Sequence, residues 1–111
     1  MVKLCSVLRR KPGLTAEEFQ RYWKEKHAAL ASNIIPGLKK YIQNHPLKMP
    51  GFECEIDGIA EIWWDSIEAL QNYLAWRQTQ EAKMLIEDEN KFIDKNAWQR
   101  FLALEYVVVE R

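Results

Sequence analysis

The stretch Asp57-Gly58-Ile59-Ala60-Glu61-Ile62-Trp63-Trp64-Asp65-Ser66 decides the fold. Its apolar residues fall on both parities, so Ile59 to Trp64 reads as a strand covered on both faces rather than one with a wet side. Asp65 or Ser66 then caps a helix, with Glu68 placed to complete a capping box and a stripe of Ala69/Leu70, Tyr73/Leu74 and Trp76. Upstream, His45-Pro46 through Asp57 holds Pro46, Pro50 and Gly51 without a clear period. It reads as a loop, and its Leu47, Met49 and Phe52 suggest a flap that packs on something. Leu38 to Asn44 is a strand with Tyr41 and Ile42 on opposite faces, entered through Pro36-Gly37. Before it, Thr15-Ala16-Glu17-Glu18 has capping-box spacing and opens a helix with Phe19, Trp23 and Leu30 on one stripe. Tyr22, His27 and Lys26 lie near that stripe, and Lys26 is expected to snorkel or to mark fraying. Lys3 to Arg10 is the first strand, turned by Lys11-Pro12-Gly13. Downstream, Glu81 to Phe101 is helical in parts, with Met84, Leu85, Asp88 and Phe92 near one side, and Leu102 to Glu110 is the last strand, including Val107-Val108-Val109.

The order β-α-β-β-α-β is the split βαβ arrangement of ferredoxin-like α+β domains: a four-stranded antiparallel sheet with helices on one face. Trp63-Trp64, Tyr41-Ile42 and Val107 to Val109 put apolar groups on both faces, yet two helices cover only one. The cover available to a chain of 111 residues is a second copy of itself, giving two sheets face to face in a C2 homodimer, a dimeric α+β barrel. Each protomer then holds an aromatic-lined cavity where helix, sheet and flap diverge.

The length fits one domain over residues 1–111, and 48% hydrophobic with 29% charged residues is a globular composition. Sixteen Lys+Arg balance sixteen Asp+Glu, so no net field draws nucleic acid or an anionic membrane. The strand order is shared with RNA-binding sheets, but the basic-aromatic pattern of those sheets is missing. No apolar run approaches the ~20 residues of a membrane span, and Met1-Val2-Lys3-Leu4-Cys5 enters a strand directly rather than through a signal peptide, so a cytoplasmic location is expected. Cys5 and Cys54 are too few for a disulfide scaffold, and His27 and His45 are too far apart for a helical metal pair. No metal is expected.

Five segments together carry a resemblance. Phe19-Gln20-Arg21-Tyr22-Trp23-Lys24-Glu25-Lys26-His27 resembles the F-x-x-Y-W-x-x-x-H signature of EthD-domain proteins. Leu8 to Thr15 resembles that family's first strand and turn, Pro36 to Tyr41 its second-strand approach, and Asp57 to Ser66 its third strand and cap. Glu87-Asp88-Glu89 with Phe92 is similar to its acidic segment. The resemblance implies a dimeric α+β barrel whose pocket is fed by the first helix and the sheet, usually without metal or organic cofactor. Relatives span polyketide dehydratases and decarboxylases, methylmuconolactone isomerases, and small proteins linked to ether-degrading oxygenase systems. The family therefore implies a site and leaves the reaction open.

Within that frame His27 matches the signature histidine, and imidazole is the side chain that exchanges protons near neutral pH. A histidine merely stabilising a helix C-terminus is the alternative. Tyr41 matches the second-strand tyrosine and is suited to donate to a carbonyl or enolate oxygen, against a place in the dimer core with its hydroxyl at the rim. Tyr22, Trp23, Trp63 and Trp64 are candidates to stack on an aromatic ligand, although each also suits a core or interface. Asp88 can orient a histidine or a water across the pocket, but inside Glu87-Asp88-Glu89 the expectation is a solvated helix face. Cys54 lacks a neighbour to activate it, and Ile62 stands where the isomerase branch carries a cysteine, which disfavours thiol-dependent isomerisation. The reading is a protein for a small hydrophobic, carbonyl- or phenol-bearing metabolite: a cofactor-independent lyase, isomerase or oxidoreductase with His27 as acid/base. The alternatives are a non-catalytic accessory of an oxygenase and a haem-handling protein.

Overall fold

Strands β1 (Val2–Leu8), β2 (Lys40–Asn44), β3 (Gly58–Trp64) and β4 (Gln99–Ala103) form one antiparallel sheet in the order β2-β3-β1-β4 in the computed structural model, which describes residues 1–111. This is the ferredoxin-like order, with both inner strands hydrogen-bonded on each side. Register pairs Leu4 with Ile62 and Leu102, and Ser6 with Ala60 and Arg100. Paired residues share a face, so the even-numbered residues of β1, β3 and β4 point toward the helices. Tyr41, opposite Ile62, joins them from β2.

The first helical segment is continuous from α1 (Ala16–Tyr22) through a π-helical turn (Trp23–His27) into α2 (Ala28–Ile34). Thr15 caps it as expected, accepting from the Glu18 N–H at 3.1 Å while the Glu18 carboxylate accepts from the Thr15 N–H at 2.9 Å. The π turn has a cause in the sequence. The buried residues Phe19, Trp23, His27, Ala31 and Ile35 recur at a strict spacing of four. On a helix of 3.6 residues per turn each such step drifts by roughly 40°. One wider turn takes up the drift and keeps the stripe on the sheet. Lys26 is fully outside that stripe, exposed, with no need to snorkel or fray.

Helices α3 (Ile67–Trp76) and α4 (Lys83–Phe92) complete the layer, and α4 is an element that the sequence pattern resolves only as partly helical. Ser66 caps α3 by accepting from the Ala69 N–H at 3.1 Å. The expected box with Glu68 does not form, because Ala69 occupies the third position of the helix, where the acid would have to stand.

Two apolar clusters fill the space between layers. One gathers Leu4, Ile62 and Trp64 of the sheet with Leu70, Tyr73 and Leu85 of the helices. The other gathers Leu8 and Ala60 with Phe19, Trp23, Phe92 and Ile93. Gly58 belongs to the second: a Cβ there would stand 2.3 Å from the Trp23 ring, so the indole lies directly on backbone.

The last strand lies elsewhere than expected. It runs over Gln99–Ala103, not Leu102 to Glu110, and Val107 to Val109 project into solvent, Val108 being 92% exposed. β-propensity marks the valines, but the pairing residues of β1 are taken by Gln99 to Ala103, and a strand needs a partner more than a composition. The open sheet face is also less uniformly apolar than expected. Ile42, Ile59, Cys5, Val7 and Phe101 lie on it, but Lys3 and Glu61 form an ion pair at 2.7 Å across its middle. Trp63 lies on this same face beneath the Lys3 and Lys40 ammonium groups, 5.0 and 4.7 Å from its ring centre.

Candidate functional site

The π turn delivers His27 to the interior. The residue is 6% exposed, and its ring packs at 4.9 Å on Phe92 of α4. From the same helix Asp88 reaches back, and His27 Nδ1 lies 2.8 Å from Asp88 Oδ2. The other Asp88 oxygen accepts from the Tyr22 hydroxyl. Asp88 is buried, contrary to the solvated helix face that its acidic run suggests. The reason is periodicity: Leu85, Asp88, Glu89 and Phe92 form one i, i+3, i+4, i+7 face of α4, and only Glu87 of the acidic triplet looks outward. Burial beside Asp88 pushes the Tyr22 hydroxyl up to about 12, so it stays a proton donor to the carboxylate.

With Nδ1 engaged by a carboxylate, the neutral imidazole carries its proton there and leaves Nε2 as an acceptor. The ring lines a cavity of about 30 Å³ between sheet and helices, shared with Leu4, Ser6, Trp23, Tyr41 and Trp98 among others. Tyr41 points to the helix side of the sheet, inside the protomer, which corrects the alternative of a dimer-core tyrosine. Its oxygen accepts from Trp23 Nε1 at 3.1 Å and from Gln43 Nε2 at 3.2 Å. Both lone pairs are then used, and the hydroxyl proton is free to donate. Burial raises its pKa and keeps it protonated.

Sequence reasoning missed the layer behind Tyr41. Gln43 Nε2 also donates to the Trp23 carbonyl, at 3.0 Å, and Gln43 Oε1 lies 2.8 Å from His45 Nε2. The His45 ring packs at 4.6 Å on Trp23. Gln43 is two residues from Tyr41 on the same strand face, which is the signal that finds it.

Of the residues singled out from sequence, His27, Trp23 and Tyr41 meet at the cavity, and Tyr22 and Asp88 stand behind His27. Trp63 and Trp64 do not join them. Trp64 is fully buried in the core with its Nε1 donating to the Pro36 carbonyl at 2.9 Å, and Trp63 is on the opposite face. A larger groove of about 770 Å³ opens under the flap, lined by Leu14, Leu47, Met49 and Phe52, but none of the candidate residues lines it. No group of three or more His, Cys, Asp and Glu side chains is arranged to hold a metal ion. No helix is long and apolar enough to cross a membrane.

A buried ion pair also borders this cavity through Glu89. Arg77 donates through Nη1 and Nη2 to the two Glu89 oxygens at 2.8 and 2.9 Å, and Lys95 Nζ adds a third contact at 2.9 Å. Burial is the largest influence and opposes the Glu89 charge, but the hydrogen bonds and charges of Arg77 and Lys95 together outweigh it and hold the carboxyl below its ordinary value.

Comparison with known proteins agrees with this architecture. The family model for the EthD domain matches residues 11–96. A solved structure of an ethyl tert-butyl ether D (EthD) family protein from Bacillus halodurans is similar at 25% identity, with 96% of this chain and 99% of that chain covered and a TM-score of 0.73. An EthD-like protein from Ralstonia eutropha is similar at 16% identity over 99% of this chain and 94% of that chain, TM-score 0.66. A dimeric protein of unknown function with a ferredoxin-like fold from Bacteroides fragilis is similar at 14% identity over 92% and 93%, TM-score 0.62. No curated protein matches.

Proposed function

The chain belongs to the EthD family, and from that premise we propose that it binds a small, mostly apolar carbonyl- or phenol-bearing compound beside His27 and moves a proton on it. One observation carries this reading: a buried histidine whose Nδ1 is held at 2.8 Å by a buried carboxylate and whose ring lines a cavity. In the neutral state Nε2 takes a proton from the compound, and the imidazolium so formed is stabilised by Asp88, which remains charged. Tyr22 holds the far oxygen of Asp88 and so fixes its plane. Tyr41 donates its free proton to the oxygen on which negative charge develops, held at its angle by Trp23 and Gln43. The apolar walls strengthen both interactions by keeping water out.

The protein acts as a homodimer in this reading. The dimeric state of the Bacteroides fragilis relative, the half-covered open face of the sheet and the unpaired apolar tail beyond β4 support it.

The test is exchange of the α-protons of small aryl ketones with heavy water, followed by proton NMR. The wild-type protein should accelerate exchange, and His27→Gln should remove the acceleration with an unchanged circular dichroism spectrum. Equal exchange by the variant excludes His27 as the base. Binding of the ketones without any exchange leaves the non-catalytic accessory role.

A further inference from the structure

Trp98 lines the cavity that His27 lines, and its indole Nε1 is the one buried side-chain donor in the molecule without a hydrogen-bond partner. A buried N–H without an acceptor is costly to the fold, and a site tolerates it when a ligand supplies the acceptor. The surroundings of that indole are electropositive. The Arg100 guanidinium lies over the ring at 4.5 Å from its centre, Lys95 at 5.3 Å and Arg77 at 5.5 Å. Among these cations stands a single carboxylate, Glu89, and it is already committed to Arg77 and Lys95. Arg100 makes no ion pair at all. It occupies the helix-side face of β4, in register with buried Ser6, and both line the cavity.

From this juxtaposition we propose that the Trp98–Arg100 end of the cavity receives the carboxylate of the ligand, so that the compound presented to His27 is a small apolar carboxylic acid. The proposal rests on the reading of His27 as the reacting end. The Arg100 guanidinium on the ring face and the unpartnered indole N–H at the ring edge are neighbouring donors for two oxygens, and Arg matches a carboxylate in both charge and shape. A neutral carbonyl would leave the Arg100 charge uncompensated as water is displaced.

The same end explains how a ligand enters. The cavity of about 30 Å³ has room for a water molecule and little more. Most of its other walls are buried core, whereas Arg100 is exposed on β4 and Trp98 is only partly covered. Rotation of those side chains enlarges the site without moving a helix, and the carboxylate then holds them in the open arrangement.

The experiment compares benzoate with its neutral counterpart benzamide, by calorimetry at mildly alkaline pH, on the full chain. The wild-type protein should bind benzoate at least tenfold tighter. Arg100→Gln should erase most of that preference, and Trp98→Phe, which keeps the ring and removes the donor, should weaken benzoate several-fold while leaving benzamide unchanged. His27→Gln should retain the preference although it abolishes proton exchange, which separates failure of this proposal from failure of the histidine's role. Equal affinities in the wild type, no benzoate binding, or a preference unmoved in Arg100→Gln overturns it.

Discussion

Asp88 and Glu89 are consecutive carboxylates on one helix, both buried, Asp88 behind the His27 that lines the cavity and Glu89 at the cavity wall itself. Asp88 faces a hydroxyl and an imidazole, partners that can be neutral. Glu89 faces Arg77 and Lys95, partners that stay charged. The first pair can therefore pass between two protonation states at small cost to the fold. The second cannot, because either member alone would be a stranded charge. The difference teaches which of two equally buried acids holds the scaffold and which is available for chemistry, a distinction that burial alone does not make.

Breaking the pairs one at a time should expose that division. The largest effect is expected for Glu89→Ala, which leaves Arg77 buried without its anion and should cost about 3–5 kcal/mol in urea unfolding. The pair also sets an acid limit. Glu89 has a lower pKa folded than free, so the unfolded chain binds more protons at acid pH and stability rises with pH in that window. The contribution is complete above the 4.5 of a free glutamate and is lost as pH falls through the lower folded value. Acid titrations of unfolding should show this step in the wild type and lack it in Glu89→Ala.

At His27 the expected loss is of rate. His27→Gln should reduce proton exchange by roughly 10²–10⁴-fold, the usual contribution of a positioned acid or base, with a melting temperature close to that of the wild type. Asp88→Asn should be smaller, because the base is still present. A hydrogen bond to a charged group contributes roughly 1.5–3 kcal/mol, so exchange should fall about ten- to a hundredfold. If Asp88→Asn unfolds the protein as readily as Glu89→Ala, the two acids are both scaffold and the comparison fails.

How much of this was legible beforehand follows from what each signal depends on. The strand order and the Thr15 cap were readable because they depend on local spacing, and the capping box formed as its residues predict. His27, Trp23 and Tyr41 were readable as candidates, but only through resemblance, since nothing local tells a helix-edge histidine from a ligand-facing one. Asp88 misleads because three consecutive acids look solvated until the helix phase is fixed by Leu85 and Phe92. The π turn is legible in principle in the strict four-residue spacing from Phe19 to Ile35, but Leu30 satisfies an ordinary helical stripe and masks it. Trp98, Arg77 and Arg100 left no sequence signal. They meet only when α3, α4 and β4 are brought together. The same holds for β4 itself, whose place is set by what β1 offers to pair with rather than by its own composition.

The smallest expected effect tests whether Tyr22 belongs to the Asp88 end or merely fills space beside Phe92. Its hydroxyl titrates at about 12 against 10.0 when free, because burial and the Asp88 carboxylate both disfavour the phenolate. A group whose folded value is raised stabilises the fold below its free value and ceases to do so as pH climbs through the folded one. The wild type should therefore lose stability between 10.0 and about 12 by this route, and Tyr22→Phe should not. At neutral pH the variant keeps the ring and drops one partner of Asp88, so exchange should fall only a few-fold, well short of Asp88→Asn. An ultraviolet titration of tyrosinate checks the assignment directly, since the high-pH step belonging to this hydroxyl should vanish in Tyr22→Phe and shift downward in Asp88→Asn. A step that survives Asp88→Asn at its original position would mean that burial alone sets it, and that the hydroxyl contributes nothing to holding the carboxylate against His27.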